Sequence, residues 1–285
     1  MNESWDIVIK PKRNLFDLNL RAIWQYRDLL RMFVYRDFVT YYKQTVLGPL
    51  WFFIQPIFTA LINLFVFGSL AGIGPGGVPG FLFYLSGPIL WQYFQDTFTR
   101  TSSTFIENQA IFGKVYFPRV ILPLTTLISG LLKFGVQLSL LLIAIAYYTY
   151  TTGSFSMQKE VIFFPVVVLI IMIMSLGFGL IVSSLTTKYR DLKFLIDFGV
   201  PLLKYITPGI ATTYVLFIEN LPAKLVPMAK YNPMGYLIDT FNYMFVGAGS
   251  FSWSILGFSA LFSCGVLVLG ILIFNQTEKN FMDTV

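Results

Sequence analysis

Long apolar runs, each closed by a polar or Gly- and Pro-rich break, dominate the sequence. Six of them lie at about 47–70, 81–105, 120–150, 161–186, 194–217 and 252–275. Each is long enough to cross a hydrocarbon core of about 30 Å at 1.5 Å per residue. The first two are parted by GIGPGGVPG (Gly72 to Gly80), which cannot continue a helix, and the third and fourth by TTGSFSMQKE (Thr151 to Glu160). A transmembrane β-barrel would show alternating segments of about ten residues, whereas these runs are longer and unbroken. Ahead of them, Arg21 to Lys43 has a helical period. Ile23, Tyr26, Leu29, Leu30, Phe33, Val34 and Phe38 fall on one side, and Arg21, Asp28, Arg31, Arg36 and Lys43 on the other. That pattern predicts a helix lying in the membrane interface. Glu219 to Gly249 carries Pro222, Pro227, Pro233 and Gly235 and the apolar YLIDTFNYMFVG. It predicts two short helices at or dipping into the outer face, where irregular backbone survives only against protein or water. The expected fold is an all-α integral membrane protein. A cytoplasmic N-terminus with the amphipathic helix covers 1–45, and a six-helix transmembrane domain covers 46–285, with the short outer helices between spans five and six.

Composition narrows the chemistry. Of 285 residues, 56% are hydrophobic and 12% charged, against roughly 25% charged in a soluble domain. There is no His, which removes His-based zinc sites and Ser-His-Asp triads, and no metal site or catalytic residue is expected. The single Cys264 cannot form an internal disulfide. No G-x-x-x-x-G-K-[ST] occurs, so the chain has no P-loop of its own. The net charge of +6 fits the positive-inside rule better than nucleic-acid binding. With the N-terminus inside, the segments before 46, at 106–119, at 187–193 and after 275 hold fourteen Lys and Arg, and the opposite side holds Lys159, Lys224 and Lys230. Both termini are therefore expected in the cytoplasm. The first 45 residues lack the short apolar core and small-residue cleavage site of a signal peptide.

Four stretches together resemble one family: RDFVTYYKQTVLGPLW (Arg36 to Trp51), ENQAIFGKVYFPR (Glu107 to Arg119), TTKYRDLKFLID (Thr186 to Asp197) and YNPMGYLID (Tyr231 to Asp239). They look like the membrane (permease) subunit of bacterial polysaccharide ABC exporters, the group that exports O-antigen, capsule and teichoic acid. The resemblance runs from about residue 21 to the end. It implies a homodimer in the inner membrane, joined by two copies of a separate ATPase that holds ATP and Mg, with no cofactor in this chain. It also implies a lipid-linked glycan as substrate. The family's interfacial helix corresponds to Arg21 to Lys43. Its ATPase-coupling helix corresponds to Glu107 to Arg119, with Glu107, Asn108, Lys114, Phe117, Pro118 and Arg119 as the coupling residues. Its outer gate helices correspond to Glu219 to Gly249, with Tyr231, Asn232, Pro233 and Met234 at the gate.

A path for a hydrated glycan needs aromatic faces and neutral hydrogen-bonding groups. On the first span, Phe52, Gln55, Thr59 and Asn63 form a stripe at spacings of three and four. Amides facing lipid are costly, so the stripe faces a pore or, equally, hydrogen-bonds across a dimer seam. The inner half of the second span is polar, and its Asp96 and Arg100 are spaced to pair along the helix. Lys133 on the third span is the alternative partner for Asp96, and these three residues are read as an internal ion pair. Lys204, with Tyr205 beside it, sits near the middle of the fifth span, flanked by Pro201 and Pro208. Asp197 lies two turns away and is better placed for Lys193. Lys204 is thus expected to face a wet path and meet an anionic group of the substrate. The other reading is a dimer contact or an acidic partner elsewhere. Besides polysaccharide export, two functions stay open on the sequence: an ABC exporter of a small lipid or drug, and a channel or carrier without an ATPase.

Overall fold

The computed structural model describes residues 20–43, 45–75, 77–112, 117–153 and 157–281, and all regular structure in them is helical. The chain opens with α1 (Leu20–Gln25) and α2 (Arg27–Tyr42). The expected single amphipathic helix is thus two, parted at Tyr26. Phe33 is buried and meets Phe117 edge-on at 6.0 Å, and Phe38 stacks on Phe52 at 5.7 Å. The apolar side of α2 therefore packs on the protein itself, while Trp24, Met32 and Tyr35 stay exposed.

A 3₁₀ turn (Gly48–Leu50) leads into α3 (Trp51–Asn63), which passes without a break into a π-helical stretch at Leu64–Leu70. Then come α4 (Gly80–Ser102), α5 (Thr104–Glu107), α6 (Gln109–Phe112) and α7 (Ile121–Thr152). Gly153 ends α7 in the left-handed conformation at φ 66°, its N–H bonded to Thr149. A 3₁₀ segment (Lys159–Phe163) starts α8 (Phe164–Lys188), and α9 (Asp191–Ile206) follows. Three shorter helices, α10 (Tyr214–Glu219), α11 (Val226–Lys230) and α12 (Pro233–Val246), precede the long α13 (Trp253–Phe281).

Among the described residues, four helical stretches are long and apolar enough to span a membrane: Gly48–Leu70, Ile121–Thr152, Lys159–Lys188 and Trp253–Thr277. The second expected span, α4, is not among them, for a physical reason. It is the central helix, touched by α3, α7, α8, α9 and α12. Leu82 to Trp91 are buried on every side, so α4 need not be apolar toward lipid. The fifth expected span is broken. Its helix stops at Ile206, Thr207 to Thr213 are non-helical, and α10 restarts at Tyr214. Pro201 is accommodated inside α9, whereas Pro208 forces the residue before it out of the helical region; Thr207 has φ −90° and ψ 122°.

The most extensive helix–helix contact is that between α8 and α13. A Cβ on Gly177 would lie 2.7 Å from the Leu267 nitrogen, and one on Gly270 would lie 2.6 Å from the Gly177 carbonyl oxygen. Small residues here let two backbones touch, the usual device for joining helices in lipid.

Candidate functional site

The polar groups of the helical bundle converge on α4. Gln92 Nε2 donates to Asp96 Oδ1 at 2.6 Å, and Lys133 Nζ of α7 donates to Asp96 Oδ2 at 2.6 Å. One turn on, Arg100 Nη2 donates to Asp37 Oδ2 of α2 at 2.5 Å, and Asp37 Oδ1 also takes Arg36 at 2.9 Å. The expected Asp96–Arg100 pair along the helix is therefore replaced by two links to different helices. Lys133, the alternative partner, is the one Asp96 uses. Asp37 was not singled out from sequence, because an acid on an amphipathic helix reads as part of the solvated face; here it is buried.

Beside this network lies a groove of about 760 Å³ along α3, lined by Trp51, Phe52, Gln55, Phe58, Thr59 and Ile62, with Lys133 at its edge. Gln55 and Thr59 also line a smaller niche of about 50 Å³, closed by Pro56, Pro88 and Ile89 and by Gln92, Gln137 and Lys204. Phe52, Gln55, Thr59 and Lys204, four of the residues expected on a substrate path, thus line two adjoining spaces. Asn63 does not join them. It points into the protein at 5% exposure, and its Nδ2 has no hydrogen-bond partner among the described residues. Phe52, Pro56, Ala60 and Asn63 form the inward edge of α3, leaving Gln55 and Thr59 at the rim. Tyr205 is exposed, its ring 6.5 Å from that of Phe67. Gln137 was not foreseen, since one amide in an apolar span carries little pattern.

Just beyond the C-terminal end of α4, Glu107 is exposed and accepts from Lys193 of α9 at 2.7 Å. That hydrogen bond raises the Lys193 pKa above its ordinary value, against a lowering by partial burial. Asn108 donates to the Thr104 carbonyl at 3.0 Å. Lys114 lies outside the described residues. Phe117, Pro118 and Arg119, expected to meet a partner, are buried in this chain. Phe117 packs on Phe33 and Phe112, and the Arg119 guanidinium stands 6.0 Å and 5.2 Å over the rings of Phe105 and Phe112. Their apolar and cation–π contacts anchor the loop from within. Among the described residues of this loop, the outward groups are Glu107, Gln109 and Ala110.

In the stretch before α13, Asn232 caps α12: its Oδ1 accepts from the Met234 and Gly235 N–H groups at 3.1 and 3.3 Å, with Pro233 in the first turn. Met234 is buried, while Tyr231 is exposed. Helix α12 does not lie on a surface; nearly every residue of it is buried. Asp239, fully buried, accepts from Tyr214 N at 2.8 Å, Ser250 N at 2.8 Å and Ser250 Oγ at 2.9 Å. Asn242 accepts from Ser86 at 2.6 Å and donates to the Gly209 carbonyl at 2.7 Å. These bonds satisfy the backbone exposed by the break after α9, as irregular structure inside a membrane protein requires.

Long apolar helices packed around a polar-linked central helix define an all-helical, multi-pass membrane protein. The pattern of the ABC-2 type transporter family matches residues 28–246, and the chain belongs to that family. It is similar to the O-antigen export system permease protein RfbA of Klebsiella pneumoniae, at 27% identity over 259 residues, 90% of this chain and 94% of that protein. It is also similar to a protein of the same name from Myxococcus xanthus, at 26% identity over 227 residues, 79% of this chain and 83% of that protein.

Proposed function

We propose that the chain is the permease subunit of an ABC exporter that carries an O-antigen-like, lipid-linked polysaccharide across the inner membrane. The observation that carries this reading is the likeness to O-antigen export permeases over 90% of the chain. In this reading two copies assemble with two copies of a separate ATPase chain, which binds ATP and Mg. The chain then crosses the membrane six times, with α4 and the interrupted α9–α10 as the second and fifth crossings and both termini in the cytoplasm. Helices α1 and α2 lie at the interface, where exposed Trp24, Met32 and Tyr35 meet the headgroups. The ATPase docks on Glu107 and Gln109, whose exposure suits that role, and on Asn108 and Lys114. The α11–α12 region, from Tyr231 to Met234 onward, gates the outer end. The glycan passes along Phe52, Gln55 and Thr59, a surface of aromatic and neutral polar groups.

A deletion strain tests the function. Long lipid-linked glycan should accumulate inside the cell and surface polysaccharide should disappear, both restored by the gene in trans. Unchanged surface polysaccharide in the deletion strain would overturn the assignment.

A further inference from the structure

The niche between α3, α4, α7 and α9 holds two polar groups that the protein leaves uncommitted. Lys204 has no acidic group within ion-pair distance among the described residues; its nearest aromatic ring is that of Tyr205, centred 6.0 Å from Nζ. The ammonium stands in the last turn of α9, where the helix's carbonyl end favours a cation. Gln137 is only 2% exposed, lines the same niche and makes no hydrogen bond to any described residue. Its amide opens onto that niche, where the oxygens of a ligand can reach it. The amide of Gln55 faces the same space. The nearby acid, Asp96, is already held by Lys133 and Gln92, which leaves the niche net positive.

The niche opens beside the apolar groove, because Gln55 and Thr59 line both. A cationic pocket of about 50 Å³ joined to an apolar groove of about 760 Å³ suits an amphiphile with a small anionic head and a long hydrocarbon tail. We propose that this composite site binds the phosphate group of a lipid-borne ligand: Lys204 and Gln137 hold the phosphate oxygens, while Trp51, Phe52, Phe58 and Ile62 hold the chain. This deepens the export reading and rests on it for the identity of the lipid, but the site itself is a property of this chain alone.

The test uses the full-length chain in detergent, with phosphatidic acid as the phosphate-bearing lipid and diacylglycerol as its neutral counterpart, read by native mass spectrometry. Phosphatidic acid should be retained over diacylglycerol. Retention should fall by about tenfold or more in Lys204→Met and in Gln137→Met, the loss expected for a charge-assisted or buried hydrogen bond, and recover in Lys204→Arg. Melting temperatures read alongside separate lost binding from lost folding. Inorganic phosphate should compete with the lipid. Competition by a uronic-acid oligosaccharide but not by phosphate would assign the niche to an acidic sugar and overturn the lipid-phosphate site, as would equal retention in wild type and Lys204→Met. Binding that survives in a protein whose deletion leaves surface polysaccharide intact would overturn the export reading and leave the site standing.

Discussion

Asp96 and Arg100 stand one turn apart on α4 and send their charges to different helices, Asp96 to Lys133 of α7 at 2.6 Å and Arg100 to Asp37 of α2 at 2.5 Å. The central helix is thereby pinned on two sides by ion pairs of opposite polarity. Removing one member of such a pair strands the other in a poorly solvated place, whereas removing both leaves none. Lys133→Met should lower detergent stability by about 1–3 kcal/mol, below the range for fully buried pairs because both side chains keep some exposure. Adding Asp96→Leu should restore most of that loss. Additive losses in this double-mutant cycle would show that the pair is not coupled.

Arg100 and Asp37 bear on the anchoring of α2. Asp37→Asn should weaken the hold of α2 on α4 and raise proteolytic cleavage at Arg31 and Arg36, because Asp37 is the buried acceptor for both Arg36 and Arg100. Arg36→Ala, read by cleavage at Arg31, should do less, since that side chain is the more exposed of the two donors. Cleavage unchanged by Asp37→Asn would mean that α2 is held by Phe33 and its neighbours alone.

The loop between α4 and α7 separates residues that hold it from residues that face outward. Phe117→Ala empties a site packed by Phe33 and Phe112 and should cost about 3–4 kcal/mol of stability. Glu107→Ala and Gln109→Ala remove exposed groups and should leave the melting temperature within a degree or two while reducing co-purification of the ATPase. A stable Phe117→Ala protein, or full ATPase recovery with both outward residues gone, would reverse this division.

Much of the architecture was legible because lipid imposes a simple rule: Gly48–Leu70, Ile121–Thr152, Lys159–Lys188 and Trp253–Thr277 must be apolar over their length. Helix α4 escapes the rule because other helices take the place of lipid around it. The break after Ile206 was half visible in Pro208, but the apolar run continued past it and hid the turn that Asp239 and Asn242 support from sequence-distant positions. At the site, the Gln55–Thr59 spacing was readable as a helical stripe. Gln137, Asp37 and the inward turn of Asn63 depend on which neighbours close over each residue, and no local pattern records that.

Gly177 and Gly270 meet backbone to backbone, with no room for a side chain on either. Gly177→Val should force α8 and α13 apart and cost at least the roughly 1–3 kcal/mol of an overpacked core, more where backbone must move. Gly257, beside which a Cβ would meet nothing within 4 Å, is the control: Gly257→Ala should be neutral or slightly stabilising through helix propensity. Equal melting temperatures for the two variants would contradict this packing.

Orientation can be tested with the same exposed positions. Gln109 lies on α6 and Lys224 between α10 and α11, both exposed. The proposed orientation, which rests on the bias of basic residues, has position 109 in the cytoplasm and position 224 outside. Cys264, exposed on α13, must first be replaced by Ser so that each introduced thiol is the only one. In intact cells an impermeant maleimide should label Cys at 224 within minutes and leave Cys at 109 untouched until the membrane is opened. Because 109 and 224 are separated by α7, α8 and the interrupted α9–α10, opposite labelling requires an odd number of crossings between them, which α9–α10 supplies by reaching the far side. If neither position labels until the membrane is opened, α9–α10 folds back without crossing and the six crossings are reduced accordingly; labelling of position 109 from outside would overturn the orientation.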